Sequence, residues 1–362
     1  MVRLTRAQQQ ERTRASVLTA AREEFTEHGY TLAKVDRIAE RAELTRGAVY
    51  SNFPSKRALY LAVLIDTVEN TPAGEPSTPS TPPTSPADAL GMFARIWLER
   101  LPLVDDTTSG GRLQLRSLDG VVDDAHGRGV LAQVVRLEAL LLATALESCE
   151  QAPVRRVRLA ELVLTLLDGS GHRAETAPGS GDPFDVARAC QHLAGIDLAD
   201  TWAPPHLPYI APARPCTDTW NTPTGLADQI SGNQVDFATD GLIAVLGAGR
   251  LAAAEEAVRS ARPGEHVTIV VVTNDRAETG RLVRLRVTDL VGCLRRVFVP
   301  EVWRHVRLVL DDDALAAAAI GLTNPDDETE AAVRVQGNMI VANAQGRGAA
   351  YAVSNASRKA TT

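Results

Sequence analysis

Proline decides first how this chain can be divided. It lacks a backbone donor and locks φ, so a segment dense in it is neither helix interior nor central strand. Six prolines crowd Thr71–Pro86 among serine and threonine, and six more crowd Pro204–Pro223. The first stretch reads as an exposed, semi-stiff loop. The second reads as a domain boundary. At 362 residues the chain has length for two or three domains. The prolines place them at 1–66, 87–203 and 224–362, with a Pro/Ser/Thr-rich loop at 67–86 and a linker at 204–223. Hydrophobic residues make up 44% and charged residues 23%, which excludes a wholly disordered or fibrous chain. No apolar run approaches the roughly 18 residues that span a bilayer, and polar Met1–Arg14 lacks the core of a secretory signal. No membrane partner and a cytoplasmic location are therefore expected. Cys149, Cys190, Cys216 and Cys293 stand far apart without a C-x-x-C pair, which indicates reduced thiols rather than zinc or redox chemistry.

The net charge of −7 is uneven. Residues 1–66 hold 11 basic against 8 acidic residues, net +3, and the remainder holds 27 against 37, net −10. A basic head on an acidic body fits DNA binding by the head. The head reads as three short helices and the start of a fourth. Val17, Leu18, Ala21 and Phe25 form one face of the first helix, about Arg12 to His28, and Gly29 ends it. Val35, Ile38, Ala39 and Ala42 face inward from a second helix over Lys34–Ala42. Glu43-Leu44-Thr45 makes a tight turn, and Thr45 is a good N-cap for a third helix, Arg46–Phe53, stopped by Pro54. Ser55 then caps the fourth. Two short helices joined by so short a turn form a helix-turn-helix.

At this point the run GYTLAKVDRIAERAELTRGAVYSNFPSKRAL resembles the DNA-binding domain of the TetR family of transcriptional regulators. The agreement lies in Gly29-Tyr30, Val35, Ile38-Ala39, Ala42, Leu44 through Tyr50, Phe53 and Lys56. The resemblance covers roughly residues 10–66. Residues up to about 200 share only length and helicity with the family's ligand-binding domain, and residues 204–362 lie beyond the usual family length. Two positions depart from the pattern. Ala33 stands where a capping Thr or Ser begins the second helix, leaving either Thr31 as a substitute or no such contact, and Glu43 stands where the turn commonly has glycine.

The chemistry of the third helix agrees with the resemblance. Thr45 and Arg46 stand at its N-terminus, where free amides attract phosphate. Arg46 suits the paired acceptors of guanine. Gly47 permits close approach, Tyr50 and Ser51 can donate to phosphate or base, and Asn52 can read adenine or bond the backbone. Lys56 is a phosphate anchor in the family. The ordinary alternatives are a partly core Tyr50, a Gly47 serving helix packing and a merely solvated Arg46. The resemblance further implies a homodimer on a near-palindromic double-stranded operator. It implies a small-molecule effector enclosed by the middle helices and a dimer interface on the last two. Repression is expected by resemblance alone.

Residues 87–200 read as a bundle of four to six helices. Leu90, Phe93, Trp97, Val130, Val134, Leu137, Leu141, Leu159, Leu162 and Val163 recur at three and four, and glycines at Gly110-Gly111 and Gly169–Gly181 supply breaks. Phe93, Trp97, Leu141 and Leu162 are candidates for core or for pocket lining, with core favoured. After Pro223, LIAVL (242–246), VTIVVV (267–272) and VRLVL (306–310) read as strands around a helix over Arg250–Arg262, which suggests parallel α/β pairing. Val333–Val335, Met339–Val341 and Ala350–Val353 read as further short strands. Residues 281–297 fit both the helix and the strand period.

Three weaker patterns remain. Gly247-Ala248-Gly249-Arg250-Leu251-Ala252 is G-x-G-x-x-A between a strand and a helix, and Asp275 ends the next strand. These suit a dinucleotide, or else a tight structural turn. Asp311-Asp312-Asp313 suits Mg²⁺ or, more simply, a loop with Asp313 as N-cap. His126 with Asp123 and Asp124, and Cys190 with His192, fall short of a metal ligand set. No G-x-S-x-G elbow occurs. The expected protein is thus mainly α: a TetR-like helix-turn-helix domain, a helical effector-binding and dimerisation domain, and an extra C-terminal α/β domain. It is a regulator without catalytic residues, metal or obligatory cofactor. The competing expectation is that Gly247, Gly249 and Asp275 make the α/β domain a nucleotide-binding or catalytic unit.

Overall fold

The computed structural model describes residues 5–70, 82–99, 118, 120–150, 154–177 and 179–356. Most of the first proline-rich loop and the Gly110-Gly111 break lie outside the described residues. The chain opens on α1 (Arg6–Leu32), started by a capping box between Thr5 and Gln8. Gly29 interrupts it at φ +67°, so the helix proper stops where the glycine predicts and a single further turn follows to Leu32. Then come α2 (Val35–Arg41), α3 (Arg46–Asn52) and α4 (Lys56–Asn70). Phe25, Ile38, Val49 and Phe53 are fully enclosed among them.

The body holds α5 (Pro86–Leu98), α6 (Ala125–Glu147), α7 (Val157–Thr176) and α8 (Pro183–Leu193), four helices among the described residues. Caps are local. Ser85 accepts from Asp88 N–H at 3.1 Å, and Asp124 from Gly127 N–H at 2.8 Å. The break expected from Gly169 is corrected. α7 runs through Gly169 and Gly171, because neither needs a positive φ, and the turn falls later, at Gly179 and Gly181, which have one. α6 is long and apolar enough to cross a membrane by length and composition, which the sequence reading did not find. Of its most apolar window 61% is buried against other helices, so here it is a core helix.

The C-terminal unit is a six-stranded mixed sheet. Its strands are β1 (Arg214–Thr219), β2 (Gly241–Gly247), β3 (His266–Val272), β4 (Val306–Leu310), β5 (Glu330–Gln336) and β6 (Met339–Gln345), in the order β1-β6-β5-β2-β3-β4. β2, β3 and β4 are parallel, as their apolar runs predict, while β5, β6 and β1 are antiparallel additions. Between strands lie a 3-10 turn with α9 (Ala254–Ser260), then α10 (Thr279–Leu294) and α11 (Leu315–Ala319), and α12 (Ala349–Ala356) ends the description. Three sequence readings change. Ala350–Val353 is helix, its Ala349, Ala350 and Val353 spaced to bury one helical face. The 204–223 linker supplies the edge strand β1. The ambiguous 281–297 segment is mainly α10. The sheet alternates by two. Ile243, Val245, Val270, Val272 and Val333 meet Trp220, Phe237 and α11 on one face, while Leu242, Ala244, Leu246, Ile269 and Leu308 face the other way.

That second face belongs to one apolar core that continues through the body and into the N-terminal helices, from Val17 to Val353. α10 reaches both of the others, packing on α4 and on α6, while α9 and the 3-10 turn before it also pack on α6.

Candidate nucleic-acid interface

α3 stands on its N-cap, with Thr45 Oγ accepting from Ala48 N–H at 3.2 Å, and buries Val49. Its outward side carries Thr45, Arg46, Gly47 and Ser51, with Tyr50 half-buried beside them. The Arg46 side chain is 60% exposed. It lies 3.3 Å from Asp36 and 5.5 Å from the centre of the Tyr50 ring. The Tyr50 hydroxyl and the Asp36 carboxylate raise its pKa further, so the cation is permanent. Gly47 is exposed, and a Cβ there would meet only Thr45 Oγ at 3.8 Å. It serves no packing between α2 and α3, and leaves the outer surface of α3 low.

Three predicted site residues have occupied side chains. Ser51 Oγ and Asn52 Nδ2 both donate to the Ala48 carbonyl, at 2.8 and 2.9 Å. Lys56 Nζ donates to the Thr31 carbonyl at 3.1 Å and lies 4.8 Å from the Tyr30 ring centre, and partial burial lowers its pKa. Lys56 thus ties α4 to the end of α1. Lys34 and Arg37, both exposed on α2, are cations that the sequence reading did not single out. Their position in the first turn of α2 is the signal that would have found them.

The two departures have physical resolutions. Thr31 does not cap α2. Instead the fully buried Glu24 carboxylate accepts from Lys34 N–H at 3.1 Å, and its other oxygen lies 3.4 Å from Arg41. Glu24, Glu27 and His28 come together there, but Arg41 and Arg37 fill the space beside them. Glu43 adopts φ +55°, the left-handed conformation that a glycine would take without strain.

At the start of α4 three units meet. Ser55 Oγ caps Ala58 N–H at 2.9 Å and donates to Glu278 at 2.5 Å. Arg57 reaches Asp124 of the body at 2.5 Å and Glu278 of the C-terminal unit at 3.0 Å. Arg281 donates to the Ala58 carbonyl at 3.1 Å, and both Arg281 and Arg14 lie over the Phe53 ring, at 5.3 and 4.8 Å.

The weaker patterns resolve as local structure. A Cβ on Gly247 would sit 2.4 Å from the Asp326 and Asp327 main chain, and one on Gly249 2.8 Å from the Asp327 carbonyl. Gly247 N–H already donates to Thr329 O and Gly249 N–H to Asp327 O, at 2.7 and 2.8 Å. The two glycines admit a neighbouring loop where a pyrophosphate would need room. Asp275 is turned to its own chain, accepting from the amides of Ala277, Glu278 and Thr279 at the start of α10. Asp311, not Asp313, caps α11, taking Leu315 and Ala316 N–H at 2.8 Å, while Asp312 and Asp313 pair with Arg284 and Arg276. His126 pairs with Asp327 at 2.9 Å rather than with Asp123 or Asp124.

Of the body candidates, Phe93, Trp97 and Leu141 are core, whereas Leu162 is 37% exposed on α7. A cleft of about 300 Å³ lies instead between α6, α7 and α10, walled by Leu131, Val135 and Leu167, with His172 and Glu175 on α7 and Arg286 from α10. Arg286 is buried and bidentate with Glu138 at 2.8 and 2.7 Å. Burial opposes its charge, and Glu138 more than restores it.

A short helix held by Thr45, with its polar side outward and its apolar side on α1 and α2, is a helix-turn-helix, the fold of a DNA-reading unit. Residues 17–63 match the bacterial regulatory proteins of the tetR family, so this N-terminal unit is a TetR-family DNA-binding domain. Over 61 residues the chain is 44% identical to the HTH-type transcriptional activator FasR of Mycolicibacterium smegmatis, covering 17% of this chain and 28% of that protein. Over 64 residues it is 38% identical to the A-factor receptor protein of Streptomyces griseus, covering 17% and 23%. The match therefore spans less than a third of either relative. Among solved structures, a TetR transcriptional regulator from Rhodococcus sp. RHA1 aligns with 52% of this chain and 99% of its own, at 21% identity and a TM-score of 0.32. NalD of Pseudomonas aeruginosa, the secondary repressor of MexAB-OprM, aligns with 51% and 94%, at 20% identity and a TM-score of 0.34.

Proposed function

We propose that the whole chain is a sequence-specific transcriptional regulator that binds a near-palindromic operator as a homodimer and is released by a small-molecule effector. The observation that carries the reading is the outward face of α3, where Thr45, Arg46, Gly47 and Tyr50 are exposed or half-exposed around a permanent cation. Side chains on such a face reach base edges, while cations around it meet phosphate. The cleft between α6, α7 and α10 has the size and mixed lining of a small-ligand site. The exposed Leu162 of α7 and the 76% exposed Phe184 of α8 supply an apolar surface for a second subunit. A protein that acts on operator DNA works in the cytoplasm, and repression is the direction we assign.

The test begins with selection of bound duplexes from random oligonucleotides. A palindromic sequence is expected, and failure to enrich any sequence overturns the reading. On that operator, Arg46→Ala is expected to lose about 1–3 kcal/mol and to relax specificity at one base pair. We assign the C-terminal unit a regulatory rather than a catalytic part. The nucleotide alternative predicts that NAD(P) raises the melting temperature at saturation. The packed loop over Gly247 and Gly249 favours no shift.

A further inference from the structure

α10 reaches two places at once. Near its middle, Arg286 forms one wall of the cleft between α6 and α7 and is locked to Glu138 of α6, with Asp168 of α7 at 3.7 Å. At its N-terminal end, Glu278 holds Ser55 and Arg57, and Arg281 holds the Ala58 carbonyl and the Phe53 ring that closes α3. Residues 278 and 286 are about 12 Å apart along a helix at the usual rise. A 16-residue helix with Leu282, Leu285, Leu290 and Cys293 in the core is stiff over that length. Asp124, at the start of α6 in the body, pairs with Arg57 in the same first turn of α4.

We infer that α10, an element of the C-terminal α/β unit, is the rod through which occupancy of the α6–α7 cleft sets the position of the recognition helix. The α/β unit is then no appendage. It completes the ligand cleft with Arg286 and grips the DNA-binding domain with Glu278 and Arg281. The ligand class is an amphipathic small molecule. Its apolar body lies on Leu131, Val135 and Leu167, and its polar end lies near Arg286 and His172. Displacement of Arg286 by that polar end would shift the axis of α10, and the shift would move Ser55, Arg57 and Ala58 with it. This rests on the effector-released regulator reading above. The test is a double-variant cycle.

Val135 lines the cleft and is only partly buried, so Val135→Trp in the full chain acts as a built-in occupant. It is expected to change affinity for the selected operator about tenfold, within the usual range for coupled sites. In the Glu278→Ala/Arg281→Met background the same substitution is expected to change it less than about twofold. Equal effects in both backgrounds, or no effect in either, overturn the inference and leave DNA binding standing. If no operator is enriched, the regulator reading falls, and amide exchange of residues 56–61 in the same four proteins decides the inference alone. It must change with Val135→Trp only when Glu278 and Arg281 are present. Leu131→Phe replaces Val135→Trp, and Glu278→Gln replaces the double variant, where the larger changes prevent folding.

Discussion

Glu43 and Gly47 lie four residues apart and have opposite problems. Glu43 is forced to φ +55° by the turn between α2 and α3, and a non-glycine residue there loses about 1 kcal/mol. Glu43→Gly should therefore raise the melting temperature, and by removing an exposed negative charge beside α3 it should also tighten operator binding. A fall in either quantity, by thermal melting or by fluorescence anisotropy, would show that the carboxylate has a role of its own. Gly47 sits inside α3 with empty space beyond it. Gly47→Ala should stabilise the helix by about 0.5–1 kcal/mol yet weaken DNA binding, because a methyl group would stand between the helix and the groove. Stabilisation without loss of affinity would leave the close-approach role without support. At this scale Thr45, Arg46 and Gly47 are exposed and Tyr50 is half-buried. The sequence does not settle which of them is more than a solvated surface group. It does not reveal that Lys56 donates to Thr31, or that the Glu24 carboxylate accepts from the Lys34 N–H just before α2, since both depend on contacts between separate segments of chain.

Among the elements, α10 is the one whose period could not be decided beforehand. Its arginines interrupt the apolar face in both phases, and each has a different reason for its place. Arg281 serves the α4 carbonyl, Arg284 pairs with Asp312 and Arg286 with Glu138. Arg286→Ala leaves the fully enclosed Glu138 carboxylate without its cation, and removal of one partner of such a pair costs about 3–5 kcal/mol. Chemical denaturation should show that loss, and the double change Glu138→Leu/Arg286→Met should recover most of it. A double variant no better than Arg286→Ala would mean that the pair fixes the packing geometry as well as its own charge. Ala350–Val353 misled for a related reason. Ala350, Tyr351, Ala352 and Val353 satisfy either period, and the neighbours of α12, chiefly β5, β6, α9 and β2, select the helix.

For the molecule as a whole, the continuous core from Val17 to Val353 bears on stability. A fragment ending at residue 203 would bare the α4 and α6 surfaces that α10 covers and expose their apolar side chains to water. It is expected to aggregate, or to melt well below the full chain and to bind operator more weakly. A soluble fragment with full-chain melting temperature and affinity would show that the N-terminal and body helices are self-sufficient. The full chain should correspondingly unfold in one transition by calorimetry, since the core that joins the N-terminal helices, the body and one face of the sheet is continuous.

The helix-turn-helix was legible because it is built from short-range chemistry: a cap at Thr45, a stop at Pro54, apolar spacing in Val35, Ile38 and Val49, and a dense local match to known domains. The strands at 242–246, 267–272 and 306–310 were legible for the same reason, each being a run whose composition alone favours extended chain. Tertiary structure alone decided that β1 would come from the proline-rich linker. It likewise decided that Gly247 and Gly249 would shelter a loop, and that α10 would lie against α4. Those outcomes turn on which surfaces are brought together, and burial acts between residues far apart in the chain, where neither propensity nor period has any reach.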